Sequence, residues 1–321
     1  MTAHERPAPA GRAAPGTLTE EAFRELYRRL RDRTAREAAL GRGALDRLTP
    51  ERVVAAAAGV RSGRTVSLAA PVETGTAEDS PEPATHRMTA PDRRERDAPG
   101  LHFARDRIAM NVHGDVDSHL DALCHVIFDG ELYGGVPAST VTPDGAGALT
   151  LDLVRDGLVG RGVLLDVPRL RGVPWLEPGE QVTAEDLAAA ETAQEVRAGP
   201  GDLLLVRVGH RRRRRTLGAW DVTRARAGLH PRAMEFAAER QVSVLGSDGN
   251  NDAAPSAVTG VPFPVHVLAV NAMGLHLLDY LDLEELATAC EETGRSDFLC
   301  VVAPLRLPAA TGSPVNPVAV L

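Results

Sequence analysis

The amino-acid sequence predicts one mixed α/β domain, and three observations lead to this fold class. Short apolar runs with the length of buried strands alternate with longer segments of helical periodicity. The chain has 321 residues, 43% of them hydrophobic, which is enough to build a sizeable core. We find no internal repeat. A single domain over residues 17–321 is therefore the most economical prediction.

The elements are predicted in order along the chain. Residues 1–16 are rich in proline, alanine, glycine and arginine, and we predict a disordered tail there. Capping residues or helical periodicity predict helices at 17–35, 48–61, 183–194, 230–240 and 282–294. Apolar runs predict strands at 65–72, 162–167, 202–209, 242–248 and 298–307. The polar, proline-rich segment 73–100 is predicted to be a long surface loop.

The composition excludes several classes of function. All 36 basic residues are arginine, so Schiff-base chemistry and a phosphate-binding lysine are excluded. The net charge of −8 argues against nucleic acid or an anionic membrane as the main partner. The three cysteines form no C-x-x-C pair, and no secretory signal or apolar run of membrane-spanning length is present. We therefore expect a cytoplasmic protein that acts on a small molecule.

One basic run needs a separate interpretation. The segment HRRRRR, residues 210–215, directly follows a predicted strand and precedes a turn-like stretch. In an acidic protein such a run favours a solvated loop over an anion-binding site. A role beside the substrate is the alternative.

The stretch HGDVDSHLDALCHV, residues 113–126, concentrates the polar chemistry of the chain. In an extended conformation, alternation places five of its side chains on one face: His113, Asp115, Asp117, His119 and Asp121. Three carboxylates on one face repel one another unless a cation neutralises them, and Zn²⁺ or Mn²⁺ accepts aspartate and histidine ligands. The pattern therefore predicts a metal site. A hydrogen-bonded polar turn at a strand end is the alternative.

The end of this stretch offers a candidate acid/base group. A helix beginning near Asp121 would place His125 one turn further on, as another ligand or as a free imidazole beside the metal. A nucleophilic pair of Cys124 with His125 is excluded, because neighbours in sequence point in different directions. We expect Cys124 to be a buried, inert thiol.

More distant residues are candidates to complete the site. His266, His276 and Asp279 lie in an otherwise apolar stretch, where they are either site residues or satisfied core residues. The segment GSDGNND, residues 246–252, follows a predicted strand, where α/β proteins tend to place site residues. Its glycines and asparagines are equally typical of a turn. We take Asp248 in this segment, with His276, His113 and Asp117, as candidates for substrate binding.

With these residues the chain resembles the cyclase family of metal-dependent hydrolases, which includes kynurenine formamidase and isatin hydrolase. The signature of that family is H-x-G-T-H-x-D-x-P-x-H. It aligns here as Asp115-Val-Asp-Ser-His119-Leu-Asp121-Ala-Leu-Cys-His125. The resemblance extends over about residues 20–321 and includes GRGVLLDV, PGDLLLVRVG and the closing APLRLPAATGSPVNPVAVL.

The resemblance implies a swivelling β/β/α fold, a homodimer or homotetramer, and one or two divalent ions, Mn²⁺ or Zn²⁺. It implies that His119 and Asp121 are metal ligands and that His125 is the catalytic acid/base. It also implies that His266 and Asp279 complete a second metal position, with Asp279 in the place of a glutamate.

This sequence departs from the family signature at the first ligand, where Asp115 replaces histidine. Asp115 still offers an oxygen ligand, but it makes the site harder and favours Mn²⁺ or Mg²⁺ relative to Zn²⁺. Asp117 and Ser118 replace the glycine and threonine of the signature. Asp279 is one methylene shorter than the family's glutamate. His113 lies on the same face and is a candidate to substitute as a ligand or to contact substrate.

The leading functional hypothesis is a hydrolase of an amide, formamide, lactam or lactone. The metal would activate water and polarise the carbonyl, and His125 would transfer the proton. A cyclase or dehydratase of natural-product biosynthesis, for example of a polyketide, is the alternative within enzymes. A non-catalytic metal- or ligand-binding relative is the alternative outside them.

Overall fold

The computed structural model describes residues 16–35, 37, 41–89, 100 and 102–321. Apart from residue 16, the tail predicted over 1–16 lies outside these residues. The predicted mixed α/β fold class is confirmed. That residues 17–321 form one domain stays a prediction.

Strands alternate with helices over residues 158–302. The strands are β1 (Thr65–Ser67), β2 (Thr85–Thr89), β3 (Arg105–Ala109), β4 (His119–Asp121), β5 (Val141–Thr142), β6 (Gly145–Ala146), β7 (Leu158–Asp166), β8 (Gln181–Val182), β9 (Leu203–Arg207), β10 (Gly228–Leu229), β11 (Val244–Ser247), β12 (His276–Asp279), β13 (Asp297–Val302), β14 (Gly312–Pro314) and β15 (Val318–Val320).

The helices are α1 (Glu20–Arg33), α2 (Pro50–Ala58), α3 (Val167–Arg171), α4 (Ala184–Ala193), α5 (His210–Leu217), α6 (Ala233–Arg240), α7 (Pro264–His266) and α8 (Glu284–Thr293). A π-helical segment, Val267–Ala272, continues α7 directly. Short 3₁₀ turns occur at Gly43–Arg47, Tyr133–Gly135, Ala138–Thr140 and Leu151–Val154.

Nine strands of the described chain form one curled, half-barrel sheet in the order β1-β15-β13-β7-β9-β11-β12-β4-β14. Its centre is parallel, because β7, β9, β11 and β12 run in the same direction. The strands on both sides of this centre are antiparallel to their neighbours, and β4 pairs in this way with both β12 and β14. The strand that carries the predicted ligands therefore lies next to the edge of the sheet.

Both faces of this sheet are covered by apolar cores. Leu245 of β11 and Leu277 of β12 belong to one buried cluster, which includes residues of α1, α4 and α6. Val244 and Leu278, their neighbours in sequence, belong to a second cluster on the other face, with residues of α8. Because a strand alternates its side chains, each residue of β12 is assigned to one of these two environments.

The helices predicted at 17–35, 48–61, 183–194, 230–240 and 282–294 and the strands predicted outside the segment 113–126 are present, and two capping predictions are confirmed in detail. The Thr19 hydroxyl accepts a hydrogen bond from the Ala22 amide at 3.2 Å at the start of α1. At the start of α4, Thr183 and Asp186 form a reciprocal capping box. Helix α8 begins at Glu284, with Leu283 rather than the predicted Asp282 at the capping position.

The prediction of a surface loop over 73–100 is wrong for one part of it. Residues 85–89 form β2, which pairs antiparallel with β3 in a hairpin whose residues are almost all exposed. Threonine and isoleucine in these segments favour strands. The polar composition reflects the fact that neither face of the hairpin is buried. Residues 90–99 lie outside the part of the chain that the structure describes.

The prediction of a solvated loop for 210–215 is also wrong, because this run forms most of α5. Arginine has a high helix propensity, and partners from other segments neutralise the charge of this helix. Arg211 is only 4% exposed and donates to the main-chain carbonyl of Val116. Arg214 forms an ion pair with the buried Asp79 at 2.6 Å. The arginines therefore fix neighbouring loops, including the loop that precedes β4.

Candidate metal centre

Strand pairing brings three predicted ligands to one face of the sheet. Asp279 of β12 lies directly opposite His119 of β4, and Leu277 lies opposite Asp121. Residues that are paired across strands, or two apart along one strand, project from the same face. The side chains of His119, Asp121 and Asp279 therefore point the same way. All three are buried, with at most 3% of their surface exposed.

The local conformation around these residues differs from the prediction. Only residues 119–121 of the expected extended segment 113–121 form a strand, and residues 113–118 form turns and bends. The predicted helix after Asp121 is absent, because residues 122–125 form a turn in which the His125 amide donates to the Ala122 carbonyl at 2.9 Å. Glycine, aspartate and serine before β4 favour turns, which explains the short strand.

The first group of possible ligands consists of His113, His119 and Asp121. The Nδ1 of His113 lies 2.8 Å from Asp121 Oδ1. The Nε2 of His119 lies 3.6 Å from the same oxygen. Two atoms that are each about 2.0–2.2 Å from one ion lie about 3–4 Å apart, so the contact with His119 already has the spacing of co-ligands.

The second group consists of Asp121, His266 and Asp279. The Nε2 of His266 lies 3.5 Å from Asp121 Oδ2 and 3.2 Å from Asp279 Oδ2. Asp121 therefore belongs to both groups, with Oδ1 facing the first and Oδ2 facing the second. Asp121 would therefore offer one oxygen to each group.

Groups outside the two ligand groups, called outer partners below, hold these side chains in place. The Nδ1 of His119 donates to the main-chain carbonyl of Asp117 at 2.8 Å. The Nδ1 of His266 donates to Asp252 Oδ2 at 2.6 Å. Such contacts fix the tautomer and leave Nε2 free to bind a metal. The carboxylate of Asp279 accepts from the side-chain amides of Asn250 and Asn251.

The carboxylates and imidazoles strongly shift one another's pKa values. Burial would raise the pKa of Asp121, but the hydrogen bond from His113 and the neighbouring imidazoles hold it well below its usual range. Burial would lower the pKa of His266, but Asp279, Asp121 and Asp252 together raise it well above its usual range. The carboxylates thus make this buried site one that favours a positive charge.

The donor set fits a divalent ion. Asp121 Oδ2 is buried and has no hydrogen-bond partner among the described residues, with His266 Nε2 3.5 Å away, and an acceptor in this position favours a cation. Imidazole nitrogens with carboxylate oxygens are a ligand set that Zn²⁺ and Mn²⁺ accept. The residues that would hold the ions are His119, Asp121, His266 and Asp279, and His113 lies beside them in the first group.

His125 lies beside the first group without joining it. Its ring stacks on the His113 ring, with centroids 3.7 Å apart and an interplanar angle of 9°. Its centroid is 6.4 Å from that of His266. Burial lowers the pKa of His125 to about 4. The imidazole is therefore next to both ligand groups and is available for proton transfer.

Two aspartates of the predicted array point elsewhere. Asp115 Oδ1 accepts a hydrogen bond from the Tyr280 hydroxyl at 2.9 Å, and Asp115 belongs to neither group of possible ligands among the described residues. Asp117 Oδ1 accepts from the Glu73 amide at 2.8 Å. Burial raises the pKa of Asp117. The five side chains predicted on one face are therefore divided between a ligand cluster and a set of loop contacts.

Asp248 and His276 are not brought to the cluster. Asp248 is fully buried and accepts from the main-chain amides of Val208 and Gly209 at 2.6 and 2.8 Å. His276 lies on the same face of β12 as Leu278, opposite to the face that carries Asp279. Neither ring nitrogen of His276 has a hydrogen-bond partner within the described part of the chain.

Sequence reasoning missed the side chains that hold the candidate ligands in place. Asn250, Asn251 and Asp252 all belong to GSDGNND, the segment from which only Asp248 was selected. Their signal was the concentration of hydrogen-bonding side chains after a buried strand. Thr311, whose hydroxyl lies 3.0 Å from His113 Nε2, gave no signal of its own in the sequence.

Two clefts border the loop that precedes β4. One of about 500 Å³ is lined by residues 111–117, including His113 and Asp115. The other, of about 820 Å³, is more apolar and is lined by Met110, Leu305 and Leu307 among others. Both volumes are typical of sites for small molecules. No helix among the described residues is long and apolar enough to cross a membrane.

The fold and the site together define a class of protein in which a curled mixed sheet presents clustered imidazoles and carboxylates on one buried face. The family described as "Putative cyclase" matches residues 64–251, and the chain belongs to this cyclase family. A solved structure of a novel cyclase is 30% identical, with a TM-score of 0.75, and the alignment covers 88% of this chain and 94% of that one.

More distant solved structures share the fold. Isatin hydrolase A from Ralstonia solanacearum is 23% identical, with a TM-score of 0.55 and coverage of 84% of this chain and 97% of that chain. Isatin hydrolase A from Labrenzia aggregata, bound to benzyl benzoate, is 21% identical, with a TM-score of 0.57 and coverage of 80% and 93%. Among curated proteins, none matches the chain significantly.

Proposed function

We propose that this protein is a metal-dependent hydrolase that cleaves the C–N or C–O bond of an amide, formamide, lactam or lactone. The observation that supports this most directly is the position of Asp121 between two sets of donor atoms, with His125 stacked at their side. When bound, a divalent ion supplies Lewis-acid polarisation of a carbonyl and lowers the pKa of water. The names of the isatin hydrolases with the same fold agree with this reaction class.

The residues of this chain then have distinct tasks. His119, Asp121, His266 and Asp279 hold the ion or ions. His125 takes the proton from the attacking water and returns it to the leaving nitrogen or oxygen, as a general base and then a general acid. The adjacent cleft of about 500 Å³ accommodates a small-molecule substrate.

The test is a panel of a formamide, a lactam such as isatin, and a lactone, offered to the Zn²⁺- or Mn²⁺-loaded protein. We expect hydrolysis of at least one compound and its loss when a chelator removes the metal. His125→Ala should lower kcat by about 10²–10⁴-fold, the usual contribution of general acid–base catalysis, without reducing the metal content.

His86→Ala is the matched control, because His86 lies on the exposed hairpin and pairs with Asp106. This variant should hydrolyse the same substrate at the normal rate. A protein that binds no metal, or activity that resists both the chelator and His125→Ala, would refute the proposal. Turnover of a polyketide-like intermediate without hydrolysis of any panel compound would favour a cyclase or dehydratase instead.

A further inference from the structure

We propose that His113, and not Asp115, is the first metal ligand of this protein. The proposal rests on the function proposed above and identifies the residue that takes the position where the family signature has histidine. His113 lies six residues before His119, two residues further than the signature requires. The metal-binding segment of this chain therefore has the pattern H-x-x-x-x-x-H-x-D.

The first argument is the orientation of the imidazole rings. His119 and His266 each present one ring nitrogen to Asp121 and give the other to an outer acceptor. His113 is oriented in a similar way: Nδ1 is hydrogen-bonded to Asp121 Oδ1 at 2.8 Å, and Nε2 lies 3.0 Å from Thr311 Oγ1. The Thr311 hydroxyl can accept the Nε2 proton when Nδ1 binds a metal. This arrangement is characteristic of metal-binding histidines.

The second argument is the space made for the His113 ring. Gly312 of β14 lies directly opposite Asp121 of β4, so that its missing side chain would project from the same face as the carboxylate. A Cβ at position 312 would lie 2.6 Å from His113 Cε1 and 2.6 Å from the main-chain oxygen of Leu120. The imidazole of His113 therefore occupies the place of a side chain at 312, next to Asp121.

The third argument is that Asp115 already has a different partner. Its Oδ1 accepts from the hydroxyl of Tyr280, the residue that follows Asp279. Tyr280 has a positive φ of 54°, and its carbonyl accepts from the Ser118 hydroxyl at 2.7 Å. Asp115 thus belongs to a set of contacts that ties the loop before β4 to the end of β12.

This assignment changes the expected metal preference. A set in which Asp115 is the first ligand is rich in oxygen and favours Mn²⁺ or Mg²⁺. With His113 in that place, three imidazoles and two carboxylates surround the ion positions, which favours Zn²⁺ more strongly. The identity of the first ligand therefore also predicts which metal the site prefers.

The experiment is a calorimetric titration of the metal-stripped full-length protein with Zn²⁺, accompanied by metal analysis after dialysis. His113→Ala should weaken Zn²⁺ binding by more than about 100-fold, beyond the usual effect of losing an outer partner. The isosteric Thr311→Val should weaken it by about 10–100-fold, because it removes only the partner of Nε2. Asp115→Asn keeps an acceptor for Tyr280 and should leave the affinity unchanged.

His119→Ala distinguishes failure of this assignment from failure of the proposed function. If wild-type protein binds no Zn²⁺ and no Mn²⁺, the proposed function and the assignment are both refuted. If His119→Ala and Asp115→Asn lose the metal while His113→Ala and Thr311→Val retain it, Asp115 is the ligand and only this assignment is refuted. The assignment alone is also refuted if His119→Ala is the only variant that weakens Zn²⁺ binding. Should His113→Ala fail to fold by circular dichroism, Thr311→Val decides alone, and unchanged affinity then refutes the assignment.

Discussion

His266 and His276 come from one apolar stretch, are both buried, and have opposite surroundings. The ring of His266 contacts three carboxylates, those of Asp252, Asp279 and Asp121, and its pKa is raised well above the usual range even though burial opposes this. Neither ring nitrogen of His276 has a partner among the described residues, and burial lowers its pKa to about 4. A buried histidine in an apolar run is therefore informative only once its face is known.

Loss of the His266 imidazole should cause the largest change, a decrease in the free energy of unfolding. We expect His266→Ala to destabilise the metal-free protein by about 3–5 kcal/mol, because it leaves buried carboxylates without a compensating cation. Urea unfolding of the metal-free protein measures the change. His86→Ala on the exposed hairpin is the control and should stay within about 0.5 kcal/mol. A cost below about 1 kcal/mol for His266→Ala would show that the carboxylates do not depend on this imidazole.

A smaller change, in Zn²⁺ affinity, should distinguish two aspartates of the segment 246–252. Asp252→Asn removes the charge that orients His266 and should weaken Zn²⁺ binding by about 10–100-fold. Asp248→Asn is matched to it, because Asp248 is equally buried and also accepts main-chain amides, yet lies away from the cluster. Its Zn²⁺ affinity should equal that of the wild type in the same titration. Equal losses in both variants would mean that the turn acts only as a structural unit.

The smallest expected change is an increase in stability rather than a decrease. Replacing His276 by leucine removes two buried nitrogens without partners and should stabilise the protein by about 1–3 kcal/mol. Thermal or urea unfolding of His276→Leu, with and without Zn²⁺, measures this gain, and the affinity for Zn²⁺ should not change. Destabilisation would indicate that the ring of His276 is hydrogen-bonded in solution.

The extent of sequence-based prediction differs between the scaffold and the site. Helices such as α1 and α4 were predictable, because the capping groups and the periodicity that define them are local. The arginine helix α5 was not, because partners such as Asp79, 135 residues away, neutralise its charge. His119 and Asp121 were recognised from a motif of adjacent residues. The outer partners Asp252 and Thr311 were not, because they contact the ligands only through the fold.

The sequence by itself determined the class of the fold, the family resemblance and the types of donor atom available for a metal. These depend on local periodicity and on a short motif, both of which are properties of neighbouring residues. The tertiary structure decided which residues meet. The register of β4 against β12 and β14 places Asp279 opposite His119 and Gly312 opposite Asp121. Because alternate residues of a strand face opposite sides, the same register sends His276 to the other core.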